Sequence, residues 1–259
     1  MKTKLILGDC LQEMPQLEAK GINLILTDLP YGVTQNTADK CLPLDKLWNE
    51  WKRLLVETGI VVLTAQFPFT AELYNSNSEW FKYDLVWDKV LISGHLNANR
   101  APLRSHENIL VFYNKFGTYN PQKTMGQKNH SLKKTTGLAN NNYGDFVHVD
   151  NSEILGNEKH PKSIIRISKP HASIALHPTE KPVPLAEWLI KTYTNEGDTV
   201  LDCCMGVGWT AVASKRLNRN FIGIEIDQSY FDTARHRMEK ATLCLESFQL
   251  SESEGNKDV

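Results

Sequence analysis

The stretch from Asp198 to Glu225 limits the fold more than any other part of the chain. Asp198-Thr199-Val200-Leu201-Asp202 reads as a short buried strand. Met205-Gly206-Val207-Gly208 reads as a glycine turn, Trp209 to Leu217 as a helix and Phe221 to Ile226 as the next strand. Strand, Gly-X-Gly turn, helix, strand and acid is the order of a parallel α/β unit with a ligand pocket at its turn. Gly206 and Gly208 let the backbone pass close to a ligand at the helix N-terminus. Glu225 follows Gly208 by 17 residues and is placed to hold the two hydroxyls of a ribose. A plain helix-capping turn would use the same two glycines.

Position 211 is Ala, where a dinucleotide fingerprint has its third glycine, and nothing nearby cradles a pyrophosphate. The unit therefore suits a nucleoside ligand without phosphates, such as S-adenosylmethionine, better than NAD.

A second cluster lies early in the chain. Ile22 to Leu26 is an apolar run, and Thr27-Asp28-Leu29-Pro30-Tyr31-Gly32 follows it directly. An acid, a fixed turn and an aromatic ring at a strand end can grip a planar ring that carries an amino group. Asp28 would accept one N–H, the Leu29 or Pro30 carbonyl a second, and Tyr31 would stack on the ring face. The same residues also make an ordinary Pro-Gly turn. A doubly wound sheet would set the two strands side by side, because both loops open on one edge.

Between and around these sites the pattern alternates. Lys4 to Leu7 is a short strand, and Leu11 to Leu17 a helical turn interrupted by Pro15. Leu44, Leu47, Trp48, Trp51, Leu54 and Leu55 recur at helical spacing, which predicts a helix over 43–56 that ends before Gly59. Gly59 to Leu63, Tyr83 to Trp87 and Ile109 to Tyr113 are further strands, and a helix starts at Phe69. Pro184 to Thr194 and Tyr230 to Leu243 complete the helices.

From Asn114 to about Pro170 long apolar runs vanish and Lys, Asn, Gly, Thr and His dominate. This length exceeds an ordinary connection inside a compact domain. Short strands are expected in it near Phe146 to Val149 and Ile164 to Ile167. The organisation expected is a first half over 1–113, an insertion over 114–170, a second half over 171–245 and a flexible tail over 246–259.

Composition excludes several classes. No run of about 18 apolar residues is present, so no membrane span is expected. The apolar stretch after Lys4 is too short for a signal peptide. Five cysteines without metal-site spacing suit a reduced, cytoplasmic protein, with Cys203 and Cys204 as core thiols. The formal net charge is −1, so any basic surface is local. Residues 115–170 hold nine basic side chains against four acidic ones, a balance of +5. That balance suits phosphate contacts or a solvated loop face.

Taken in order, these motifs resemble those of DNA amino-methyltransferases of the permuted β class, over most of the chain. Asp28-Leu29-Pro30-Tyr31 is similar to that family's catalytic Asp-Pro-Pro-Tyr, with Leu29 replacing the first proline. Asp202 to Thr210 resembles its cofactor motif, with departures at Cys203, Cys204, Val207 and Trp209. His177-Pro178-Thr179-Glu180-Lys181-Pro182 is similar to a segment beside the cofactor's methionine end. Gly8-Asp9-Cys10-Leu11 resembles the segment whose acid lies near the cofactor adenine; Asp9 could equally cap the helical turn after it. Trp87-Asp88-Lys89 and His106-Glu107-Asn108 are further landmarks, although His106-Glu107 alone reads as well as a solvated pair.

The resemblance implies an α/β, doubly wound, mostly parallel Rossmann-like sheet with an inserted target-recognition region. It implies methyl transfer from S-adenosylmethionine to adenine N6 of a base flipped from double-stranded DNA. An acid rather than Ser at position 28 sets adenine above cytosine N4 in that family. Catalytic roles fall on Asp28, Pro30 and Tyr31. Cofactor contacts fall on Asp9, Cys10, Asp28, His177, Thr179, Lys181, Asp202, Gly206, Gly208, Thr210 and Glu225. No metal is called for. Partners would be double-stranded DNA, a second copy of the chain and an accompanying restriction enzyme. The departures around the glycine turn leave open a DNA-binding subunit of the same fold without turnover.

Overall fold

Short apolar runs that stop at polar or glycine-bearing loops build the central sheet. The computed structural model describes residues 1–32, 41–93, 97–127, 156–171 and 180–242. The segment expected as a strand near Phe146, the positions His177 and Thr179, and the tail over 246–259 lie outside the described residues.

The chain opens with β1 (Thr3–Leu7), α1 (Cys10–Glu13) and a 3-10 turn over Met14–Gln16, where Pro15 ends the helix as expected. Then come β2 (Ile22–Thr27), α2 (Leu44–Leu54), β3 (Leu55–Ala65), α3 (Phe69–Ser76), β4 (Phe81–Ser93) and β5 (Arg104–Tyr113). Two-residue strands β6 (Thr124–Met125) and β7 (Glu158–Lys159) precede β8 (Ile164–Arg166). The last part holds α4 (Val183–Tyr193), β9 (Thr199–Asp202), α5 (Trp209–Arg216), β10 (Asn220–Glu225) and α6 (Gln228–Lys240).

One eight-stranded sheet runs in the order β1-β10-β9-β2-β3-β5-β4-β8. The five strands from β1 to β3 are parallel, β5 runs against both its neighbours, and β8 lies parallel to β4. Alternation along each strand feeds two cores. Leu24, Leu26, Ile60, Val62 and Val200 face α4, α5 and α6, where Leu185, Leu189, Trp209 and Ala213 are buried. Ile25, Val61, Leu63, Leu110 and Leu201 face the other side with Trp48, Trp51 and Phe69. Helices on both faces explain why the parallel strands read as continuous apolar runs rather than alternating ones.

Two boundaries differ from the sequence reading. The strand expected at Gly59 begins at Leu55, directly after α2. Its pairing with β2 jumps from Ile22↔Leu55 to Leu24↔Ile60, so residues between bulge out. A Cβ at Gly59 would sit 2.7 Å from Leu55 Cδ2, and the bulge therefore needs the glycine that looked like a helix stop. The strand expected over Tyr83–Trp87 extends to Ser93, with its ladder interrupted between Asp88 and Ser93. Val90 inside that interruption takes φ +60°, a left-handed conformation rare for a β-branched residue. Its N–H is capped by Asp88 Oδ1 at 2.9 Å.

The compact division also differs from the expected 114–170 insertion. Residues 121–162 form a small unit of their own, and the rest forms the larger one. The apolar pattern at Ile164 to Ile167 belongs to the main sheet: Ile164 and Ile165 pair with Val86 and Trp87, and Trp87 Nε1 donates to the Ile167 carbonyl at 2.8 Å. Within the small unit β6 and β7 pair antiparallel, and Lys123 binds Glu158 at 2.8 Å.

Candidate active site

β2 and β9 are neighbours in register, Leu24 opposite Val200 and Ile25 opposite Leu201. Being parallel, they end on the same edge, and the loops that follow them begin at Asp28 and Cys203. The Cys203 thiol donates to Thr27 Oγ1 at 3.7 Å, so the loop after β9 touches the end of β2, one residue before Asp28. The early acid and the late glycine turn thus share one edge of the sheet, at the point where strand order reverses.

Asp28 sits at the centre of a dense polar cluster. Tyr31 donates its hydroxyl to Asp28 Oδ1 at 2.7 Å, and Thr64 donates to the same oxygen. Lys181 donates to Asp28 Oδ2 at 2.7 Å. Lys181 also lies 3.2 Å from Glu107 Oε2, and Lys89 lies 3.3 Å from Glu107 Oε1. Lys89, Lys181 and Glu107 are all buried. The four formal charges alternate in sign and cancel, which is how so much charge is tolerated away from water.

Titration follows from these contacts. Burial pulls the Lys181 ammonium down, but Asp28, Tyr31 and Glu107 outweigh it and hold its pKa well above the usual lysine value. Burial lowers Lys89, and Glu107 only partly offsets that. Burial, then the Asp28 charge, pushes the Tyr31 phenol far up, so it remains a donor.

Tyr31 is half-buried, its ring centroid 5.4 Å from that of Phe69, with the Lys181 ammonium 5.5 Å from the Tyr31 ring centroid. Leu29 is buried and Pro30 half-exposed, so the turn presents Pro30 and Tyr31 rather than Leu29.

The glycine turn uses its two glycines differently. Gly208 has φ +80°, and a Cβ there would meet the Ala234 Cβ at 2.8 Å; its bareness serves packing against α6. Gly206 has φ +51° with nothing within 4 Å of where a Cβ would point. That open side is where a ligand could approach the backbone. Glu225, at the end of β10, accepts from Gly206 N–H at 2.7 Å and Asp227 N–H at 2.9 Å. Burial raises its pKa against those two donors.

Asp202 and Thr210 are wholly buried and bind each other, Thr210 Oγ1 to Asp202 Oδ2 at 2.6 Å. Cys204 N–H donates to Asp202 Oδ1 at 3.1 Å. This pair shapes the turn from inside and presents no atom to the edge. Burial lifts the Asp202 carboxyl to about 7. Asp9 is the N-cap of α1, accepting from Leu11 N–H at 2.9 Å.

Sequence reasoning missed several members. Glu107 is no solvated residue: it is buried between two lysines, while His106 is exposed. Thr64 had no signal at all, lying inside an apolar strand. Glu180 pairs with Arg237 at 2.8 Å, and Arg237 also donates to the Val207 carbonyl at 2.8 Å, which fastens α6 to both the glycine turn and the segment before α4. Cys10, Cys203 and Cys204 converge, although Cys10 is far away in sequence from the other two. Hydrogen bonds from Cys203 and Cys204 pull the Cys10 thiol down to about 4 against burial.

Comparison with known proteins gives a consistent picture. The N6/N4 family model described as "DNA methylase" matches residues 22–236. The chain is 28% identical over 253 residues to the type II methyltransferase M.HpaI of Haemophilus parainfluenzae, covering 92% of this chain and 75% of that one. It is 27% identical over 245 residues to M1.MboII of Moraxella bovis, covering 87% and 92%. Among solved structures, the M1.HpyAVI–SAM complex superposes with a TM-score of 0.64 at 24% identity, covering 91% of this chain and 98% of that one. The cytosine-N4-specific PvuII DNA methyltransferase superposes with a TM-score of 0.65 at 15% identity, covering 92% and 86%.

Proposed function

Because the chain belongs to the N6/N4 DNA methylase family, we propose that it transfers a methyl group from S-adenosylmethionine to adenine N6 of a base flipped out of double-stranded DNA. The observation that carries this reading is Asp28 at the shared edge, one strand away from the glycine turn, its carboxylate oriented by three donors.

The residues suit the cofactor. The open side of Gly206 and the Glu225 carboxylate beneath it offer backbone approach and a ribose acceptor. Cys10, Gly206, Gly208 and Glu225 would hold the nucleoside end, with His177 and Thr179 at the methionine end. Lys181 acts through Asp28 rather than on the cofactor. Bound there, S-adenosylmethionine supplies an electrophilic methyl on a sulfonium.

The chain's own part is to prepare the amine. An exocyclic amine is a weak nucleophile because its lone pair is delocalised into the ring. Asp28 accepts one of its N–H bonds and a carbonyl of Leu29 or Pro30 the other, which turns the lone pair toward the methyl. Lys181 donates to Asp28 Oδ2 at 2.7 Å and so fixes the orientation of the acceptor carboxylate. Tyr31 and Pro30 then cover the base face, and Tyr31 leaves its Asp28 contact as the base takes that oxygen. Flipping the base costs a few kcal/mol, recovered from stacking and these hydrogen bonds. Basic side chains in residues 115–170 meet the phosphates. Nucleoside digestion and mass spectrometry of DNA treated with the protein and cofactor test the choice of base: N6-methyladenine supports the reading, and N4-methylcytosine assigns the same site to the other amine.

A further inference from the structure

Three thiols lie together at the same edge; Cys203 and Cys204 have no part in the chemistry above, and Cys10 enters it only as a neighbour of the cofactor's nucleoside end. Cys10 opens α1, just after β1, Cys203 and Cys204 come from the loop after β9, and β10 runs between β1 and β9. Their three sulfurs all lie within 4.8 Å of one another. Among the described residues this is the one such group of potential ligands. We propose that Cys10, Cys203 and Cys204 bind a single thiophilic divalent cation of the zinc or cadmium kind, which clasps the start of α1 to the loop that enters the glycine turn.

Geometry and donor chemistry carry the proposal. Zinc–thiolate bonds of about 2.3 Å in a tetrahedron set sulfurs roughly 3.8 Å apart. The observed spacing therefore closes by side-chain rotation of about an ångström or less, without moving either strand. All three donors are soft sulfur, which selects zinc, cadmium or copper(I) over magnesium and calcium. Cys10 and Cys203 are buried while Cys204 is half-exposed, so the cation enters from the Cys204 side and keeps an outward fourth position. All three are free thiols.

The clasp would bear on the active site by a short route. The Cys203 thiol touches Thr27, the residue before Asp28, and Cys204 is two residues before Gly206.

Titration of the reduced, chelator-treated protein with Cd2+ tests this through the thiolate-to-metal charge-transfer absorption in the near ultraviolet. One equivalent should saturate the band. Cys204→Ser should weaken binding at least tenfold, and Cys41→Ser should leave it unchanged. In the unsubstituted protein, one equivalent of Cd2+ should protect Cys204 from alkylation while Cys41 still reacts, read by peptide mass spectrometry; this arm does not depend on a variant folding. Absence of a one-equivalent band, or alkylation of Cys204 unaffected by Cd2+, overturns the site.

Discussion

Replacing Lys181 with Met removes one charge from a set of four that cancels. Asp28 and Glu107 then face Lys89 alone, and a buried negative charge is left without a partner. Breaking a buried ion pair from one side costs about 3–5 kcal/mol. The Asp28 side chain keeps 18% of its exposure, so water screens part of the loss and the lower end applies. At roughly 2–4 °C per kcal/mol for a domain of this size, the midpoint should fall by roughly 6–12 °C. Adding Glu107→Gln restores neutrality, and the double variant should recover at least about 1 kcal/mol over Lys181→Met alone. Thermal unfolding by circular dichroism at pH 7 reads both numbers. A loss under about 1 kcal/mol, or a double variant no better than the single, would refute the cancelling network.

Other substitutions probe the remaining parts. Gly208→Ala must adopt a positive φ and displace Ala234, and should destabilise by roughly 2–4 kcal/mol; Gly206→Ala meets no atom and should cost only about 1 kcal/mol, both by urea unfolding. Asp202 has its carboxyl raised from 3.8 to about 7, so its contribution to stability is full below pH 4 and is lost as pH rises through 7. Asp202→Asn should therefore gain on the parent protein between pH 4 and pH 8, by up to roughly 4 kcal/mol; a pH-independent difference would show that Asp202 is not titrating there. Val90→Asn relieves a β-branched residue of its left-handed backbone and should stabilise by up to about 1 kcal/mol, seen as a small rise in melting temperature.

The parallel half of the fold was readable because its strands are apolar runs closed by abrupt polar stops. Thr199 to Glu225 shows this most clearly, since period, glycines and terminal acid all agree. The two loops were readable for the same reason: Asp28 and Gly206 interrupt patterns that would otherwise continue. What stayed hidden needed distance in sequence to become nearness in space. Glu107 looks like a surface acid until Lys89 and Lys181 close on it from β4 and from the segment before α4. Cys10 reads as a cofactor neighbour and Cys203 as a core thiol, unrelated until β10, paired with both β1 and β9, brings them together. Gly59 and Val90 mislead in the other direction, because a bulge uses a glycine that resembles a helix stop, and a strained valine continues a strand that seemed finished. Asp202 and Thr210 were legible from a motif, and their burial and mutual hydrogen bond inside the turn were not.

The central claim is that the Asp28 carboxylate activates an acceptor amine beside a separately built cofactor turn. Tritiated-methyl transfer from S-adenosylmethionine to double-stranded DNA by Asp28→Ala, paired with calorimetry of cofactor binding, tests it most directly. The account predicts transfer at background level with cofactor affinity within a few fold of the parent protein. Sustained turnover by that variant would contradict it.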